Sequence, residues 1–273
     1  MQRMVDNQQG EAAPPVDADL SATVTVFVTT VGAPTFEACL ARLAAQDCRI
    51  TLRVIAHVAP MHAAFQRMLD ECTTPYFVQV DEDMLLEPHA VRTLVERIDA
   101  AGPQAAMVAG DLWDDHLRRC IIGVKIFRHA TARRYPLAPI DQFEVDQVRR
   151  FEADGHTVIR APAGLTPLAG HTLGRHGTQW TATSIYERYA TLERRRRERT
   201  PRHDWFAVYG PEFLSRFQQR PTDENFFALM GVVAGTLASR QGPAPAKDYR
   251  TYGALPGFAA LRAFLAAFDP PPD

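Results

Sequence analysis

The run Tyr76-Phe77-Val78-Gln79-Val80-Asp81-Glu82-Asp83 carries an apolar strand straight into three acids. In an extended chain residues i and i+2 face the same side. Asp81 and Asp83 can therefore address one site at the carboxyl end of a strand, the edge at which open α/β sheets bind ligands. Carboxylates crowded there repel one another, and a divalent cation relieves that cost. Hard oxygen donors of this kind suit Mg(II) or Mn(II). The plainer alternative is a solvated turn after a strand. Two more segments hold side chains able to do chemistry. Residues 143–155 (FEVDQVRRFEADG) place Glu144 and Asp146 in the first turn of an expected helix. Residues 170–181 (GHTLGRHGTQWT) hold His171 and His176 among glycines, which predicts a mobile loop without fixed secondary structure.

The elements that must position these groups alternate between strand and helix. Residues 24–28 are a β-branched, apolar run of the kind found in parallel strands covered on both faces. A helix over 36–45 follows, then a strand over 50–58 and a helix over 63–71 with Phe65, Met68 and Leu69 on one side. The strand over 76–80 leads to a helix over 88–101 whose inner face is Val91, Leu94, Val95 and Ile98. Strands over 105–109 and 121–127 and a helix over 142–153 complete the pattern. Such alternation implies an α/β fold with a parallel sheet. After about residue 180 only helices are expected, over 184–199, 211–219 and 223–239. The expected organisation is a flexible arm (1–21), an α/β domain (22–180), a helical C-terminal extension (181–269) and a tail (270–273).

The chain has 273 residues, with 30 Lys and Arg against 32 Asp and Glu, a net charge of −2. That balance argues against holding nucleic acid through bulk charge. Hydrophobic residues are 46%, enough for a sizeable core. No stretch reaches the roughly 20 apolar residues that span a bilayer, and the N-terminus lacks a signal-peptide pattern. The four cysteines form no C-x-x-C pair, so a cytoplasmic protein with reduced thiols is expected. The charge run over 193–199 (ERRRRER) reads as a solvated helix face. The sharper alternative is contact with an anionic acceptor or with a membrane surface from the cytoplasmic side. The stripe Phe226, Phe227, Leu229, Met230 and Val233 reads as core or as a dimer contact, so a homodimer and a peripheral membrane contact stay open as partners.

The segment over 24–96 resembles the nucleotide-diphospho-sugar glycosyltransferases of the GT-A fold, specifically glycosyltransferase family 2. The likeness rests on Thr29-Thr30 after the first strand, Cys39-Leu40-Ala41 in the first helix, and Arg67-Met68-Leu69 in the second. It continues through the run Thr74-Pro75-Tyr76 to Asp81-Glu82-Asp83-Met84, which is similar to the family's xPYxxxxDxD segment. It covers the first half of the chain well and the C-terminal third poorly. The resemblance implies a Rossmann-like, mostly parallel sheet flanked by helices. It makes Asp81 the nucleotide contact and Asp83 the ligand of Mn(II) or Mg(II). Thr29 and Thr30 are implied in the loop that meets the nucleotide, and Gln66 stands where relatives carry Asn. The acid usual after the second strand is missing, since the sequence reads Ala56-His57-Val58-Ala59-Pro60.

Residues 143–155 are similar to the family's EDxDLxxRLxxxG helix. Counting back from Gly155 places Glu144 at the general base, with Asp146 two residues on and Asp114, Asp115 and Asp141 as competitors. The late loop implies His176, or else His171, as a further metal ligand, which shifts the preference toward Mn(II). The function so implied is a metal-dependent, hexosyltransferase-type enzyme that moves a sugar from a nucleotide-diphosphate donor to an acceptor hydroxyl, with inversion. The acceptor is left open among glycans, lipid-linked molecules and small molecules. Two alternatives stand beside it. A sugar nucleotidyltransferase would carry a Gly-rich, basic first loop, against Val31-Gly32-Ala33-Pro34 here. A non-catalytic scaffold would keep the fold and lose metal-dependent nucleotide affinity.

Overall fold

A computed structural model describes residues 18–140, 142–160, 172–177, 180–199, 209–240 and 263–269. In chain order the elements begin with β1 (Ala18–Asp19), β2 (Val24–Thr30), α1 (Phe36–Ala44), β3 (Cys48–Arg49), β4 (Thr51–Ala56) and α2 (Met61–Glu71). Then come β5 (Tyr76–Asp81), β6 (Met84–Leu86), α3 (Ala90–Ala100), β7 (Ala105–Asp114), β8 (Arg119–Arg128), α4 (His129–Ala132) and α5 (Phe143–Ala153). The last are β9 (Thr157–Ile159), β10 (Thr172–His176), α6 (Ala182–Arg199), α7 (Gly210–Gln219) and α8 (Asp223–Ala238). The end of the expected arm is ordered, since β1 pairs in parallel with β3.

The main sheet runs β4-β2-β5-β8-β7-β10-β6, with β9 added to β7. β4, β2 and β5 are parallel, as expected. The rest of the sheet is mixed: β8 is antiparallel to both β5 and β7, and β10 is parallel to β7 but antiparallel to β6. The cause is a hairpin. β7 and β8 each run ten residues and are joined by four, a link too short for a parallel crossover. Asp114 accepts from Leu117 N at 2.6 Å and Arg118 takes a φ of 53°, which closes the turn.

Alternation along the strands feeds two cores. Val26, Val78, Val80 and Ile126 pack under α3, with Val91, Leu94 and Ile98. Phe27, Phe77 and Phe127 face the other way, toward Phe65 and Met68 of α2 and Phe143 and Phe151 of α5. A third cluster joins α6, α7 and α8 through Tyr186, Tyr189, Phe213, Phe227 and Val232. All four cysteines are buried free thiols. Among the described residues no helix is long and apolar enough to cross a membrane.

Two expectations are corrected. The glycine-bearing segment expected to be an irregular loop contains strand β10, inserted between β7 and β6. A Cβ on Gly174 would stand 2.5 Å from the Leu85 carbonyl oxygen, so glycine is what lets the two backbones come this close. The charge run is not a solvated face over residues 193–197, where only Arg196 is exposed. Glu193, Arg194, Arg195 and Arg197 are buried, because α6 is enclosed by neighbouring elements. Glu193 accepts from Tyr209 N at 3.0 Å and lies 3.8 Å from Arg197, so it supplies an internal counter-charge. The apolar stripe on α8 splits: Phe227 enters the core while Phe226 and Val233 stay exposed.

His116, in the β7–β8 turn, is buried among Trp180, Tyr189 and Phe213. Neither ring nitrogen has a hydrogen-bond partner among the described residues. Burial pushes its pKa down to about 4, helped by Arg188 and Arg216 and opposed by Asp114. The unfolded chain therefore binds the extra proton first, and stability is lost as the pH falls from about 6.5 toward 4. His116→Phe is expected to flatten that acid limb in urea unfolding followed between pH 7 and about 4.5, with little change at pH 7. An unaltered limb would disprove the assignment.

Candidate active site

The strand register builds the site. In the parallel β2–β5 pair Thr29 stands opposite Asp81, and its hydroxyl donates to Asp81 Oδ1 at 2.8 Å. β10 places His176 opposite Asp114 on β7 and opposite Met84 on β6, one residue after Asp83. The imidazole thus sits between two carboxylates, with Nε2 3.2 Å from Asp83 Oδ2 and Nδ1 3.0 Å from Asp114 Oδ2. Two main-chain bonds hold the frame: Gly177 N to Asp83 O and Asp115 N to His176 O, each 3.2 Å. Behind Asp114, Arg188 Nη2 approaches Asp114 Oδ2 to 3.7 Å, and the Arg188 guanidinium lies 4.7 Å above the Trp180 ring.

The charges set each other. Burial works against a charged His176, but Asp83 and Asp114 outweigh it and push the ring's pKa up to about 9. Burial would raise the Asp83 carboxyl, yet His176 and, farther off, Arg188 hold it below the usual range. Asp114, also desolvated, is held low by His176, Arg188 and the Leu117 amide.

A cavity of about 480 Å³ opens over these groups at the carboxyl ends of β2 and β5. Asp81, Glu82, Asp83 and His176 form one wall, and the β2–α1 loop forms another from Thr29 to Thr35. Ile55, Val58, Met61 and Ala64 make an apolar end. One face of α6 lines the cavity with Ser184, Glu187, Arg188, Leu192 and Arg195, at positions i, i+3, i+4, i+8 and i+11 of the helix. Two arginines therefore line the same cavity as the carboxylates.

The donor set fits a divalent cation. His176 Nε2 and Asp83 Oδ2 are 3.2 Å apart and paired directly with each other, so a cation would have to replace the proton between them. Asp114 takes the Nδ1 side, where a carboxylate holds the imidazole's tautomer and orientation. Among the described residues no group of three or more His, Cys, Asp or Glu side chains is set to hold a metal ion. Two protein ligands completed by phosphate oxygens is the usual pattern for Mg(II) at nucleotide sites.

Of the residues singled out in the sequence, Thr29, Thr30, Asp81, Asp83 and His176 meet at this cavity. Gln66 does not. It bonds Asp70 and the Leu137 amide, at 2.8 Å each, and ties α2 to the segment before α5. Glu144 does not line the cavity either. Lys125 Nζ donates to it at 2.6 Å and Gln79 Nε2 at 3.4 Å. Asp146 pairs with Arg150 at 2.9 Å and Asp115 with Arg175 at 2.7 Å. His171 and Asp141 lie outside the described residues. Glu82 and Arg188 line the cavity without a sequence signal of their own, and Arg195 joins them from the charge run. Asp114, named in the sequence as a competing base, is buried at the end of β7 and bonded to His176 instead.

Neither a protein-family description nor a curated protein matches the sequence. Solved structures similar to this chain include the mannosyltransferase PcManGT from Pyrobaculum calidifontis in complex with GDP-Man and Mn2+. It is 15% identical, with 93% of this chain and 87% of that one covered and a TM-score of 0.45. S. aureus TarS 1-349 in complex with UDP is 11% identical over 81% of this chain and 92% of that one, with a TM-score of 0.44. Glucosyl-3-phosphoglycerate synthase from Mycobacterium tuberculosis, in complex with Mn2+, UDP and phosphoglyceric acid, is 14% identical over 58% and 72%, with a TM-score of 0.43. At these identities and scores the likeness assigns neither a family to this chain nor a role to any residue.

Proposed function

We propose that this protein is a metal-dependent glycosyltransferase that moves a sugar from a nucleotide-diphosphate donor to an acceptor hydroxyl. The observation that carries this is the Asp83–His176 pair, braced by Asp114, at a cavity that Arg188 and Arg195 also line. An acid wall repels a diphosphate. A cation held by Asp83 and His176 would reverse that sign and neutralise the charge that grows on the leaving diphosphate. The arginines of α6 stand where they could take further phosphate oxygens. Asp81, oriented by Thr29, suits a ribose hydroxyl.

In the transfer, the acceptor oxygen forms a bond to the anomeric carbon as the bond to the diphosphate breaks, and the acceptor proton passes to a base. Inversion is part of the proposal, with Glu144 as that base, although it lies outside the cavity lining and would have to leave the Lys125 ion pair to reach the acceptor. Gln79, on the sheet face that carries Asp81, donates to Glu144. The anomeric configuration of the product, read by NMR, tests it, and retention would remove the need for Glu144.

The test of the function is a melting screen with UDP, GDP, CDP and dTDP, each with Mn(II) or EDTA. A ligand at 100 times its dissociation constant adds about 2.7 kcal/mol, which raises the melting temperature of a chain this size by roughly 5–10 °C. A shift with one diphosphate that EDTA removes is expected. No shift with any of the four, in folded protein, would sink the transferase and favour a scaffold.

A further inference from the structure

Three consecutive main-chain N–H groups in the β2–α1 loop point at side-chain oxygens rather than into the cavity. Val31 N donates to Glu82 Oε1 at 3.0 Å and Ala33 N to Glu82 Oε2 at 2.8 Å. Between them Gly32 N donates to Thr30 Oγ1 at 2.9 Å, and the Thr30 hydroxyl itself donates to Glu82 Oε2. Gly32 makes the turn with a φ of 88°, in the left-handed region that favours glycine. Successive N–H groups curled in this way form a concavity that binds anions. Here the anion is internal. Glu82 is only 9% exposed, and both of its oxygens occupy the seat.

We propose that Glu82 is a positioning residue that fixes the β2–α1 loop in the shape that receives the nucleoside and closes the loop's amides to phosphate. Resting on the function proposed above, this deepens it. With the amides of residues 31–33 engaged, the loop cannot cradle phosphates as a nucleotidyltransferase's first loop would. The diphosphate is left to the Asp83–His176 side. Thr35, at the end of the loop, lines the cavity and is buried, and its Oγ1 has no hydrogen-bond partner among the described residues. Charge-assisted bonds to a buried carboxylate are among the stronger ones available to a loop, so their removal should register beyond Glu82 itself.

Amide hydrogen exchange and nucleotide affinity, measured on the full chain, test this in wild type, Glu82→Ala, Glu82→Gln and Thr30→Val. In Glu82→Ala the Val31 and Ala33 amides should exchange at least about tenfold faster, while the β2–β5 ladder keeps its rates. Mn(II)-dependent affinity for the diphosphate selected by the screen should fall about tenfold or more. Mn(II) binding without nucleotide should not change. Acetate matches the atoms removed and should restore part of both effects. Glu82→Gln keeps one acceptor oxygen and should lie between, and Thr30→Val should show a smaller change in the same direction even if Glu82→Ala folds poorly. Loop amides that quicken while nucleotide affinity stays at wild type would overturn the positioning role and leave the proposed function standing. Unchanged loop amides would overturn the internal-anion account. Wild-type protein that binds no diphosphate would overturn the function and this role with it.

Discussion

Asp83→Ala is expected to bind nucleoside diphosphates in Mn(II) at least about a hundredfold more weakly than wild type, a loss of ~2.7 kcal/mol. The rate of sugar transfer should fall about a thousandfold. The change leaves His176 as a lone ligand and removes the carboxylate that holds the ring's second nitrogen in line. Asp114, which is buried and bonded to Nδ1, remains, so the imidazole should keep its place and the site should lose charge rather than shape. Asp83→Asn separates the two: it keeps the volume and removes the charge, and should fail nearly as badly. Wild type in EDTA should behave like either variant in Mn(II). Calorimetric titration with the selected diphosphate decides the matter. An Asp83→Ala affinity within a few-fold of wild type, with Mn(II) present, would remove the cation from the Asp83 side of the cavity.

Asp81 and Asp83 were legible in the sequence because an apolar strand that ends in acids is a local pattern, and β5 keeps its alternation to the last residue. The helices were legible for the same reason: α3 carries Val91, Leu94, Val95 and Ile98 at helical spacing, and all four are buried. The order of β8 was not legible, because a strand's direction depends on its connection, and the hairpin of residues 115–118 has no Gly-based turn signal. β10 was hidden by composition, since Thr-Leu-Gly-Arg-His has too little apolar character to read as a strand. It holds its place by main-chain pairing on both sides. The arginines of α6 misled for a related reason. A charge run reads as a wet surface unless its counter-charges are visible, and Glu193 serves that role only once α7 and α8 close around it. Glu82 escaped notice because it lies between two more conspicuous acids and acts through amides, which have no signature in side-chain sequence.

Gly235→Ala, far from the cavity wall, is expected to weaken both the fold and the site. α8 packs on α6 through two glycines one turn apart. A Cβ on Gly235 would stand 2.2 Å from the Ala190 carbonyl oxygen, and one on Gly231 would stand 2.4 Å from the Tyr186 carbonyl oxygen. Both obstacles are backbone, so no side chain can swing aside and the helices must separate. Overpacking of this kind costs about 1–3 kcal/mol, with the upper end expected here. Alanine's better helix propensity returns up to about 1 kcal/mol. The net loss of about 2 kcal/mol should lower the melting temperature by roughly 4–8 °C. The loss should reach the ligand, because the opposite face of α6 presents Arg188, Leu192 and Arg195 to the cavity. A shift of α6 away from α8 alters where those side chains meet a diphosphate, so affinity should drop even at temperatures where the variant is fully folded. Val233→Ala, on the exposed side of the same helix, is the control and should change neither quantity appreciably. A Gly235→Ala protein that melts with wild type would mean that the two helices are not in such close contact. One that melts early but binds normally would mean that α6 does not hold the ligand.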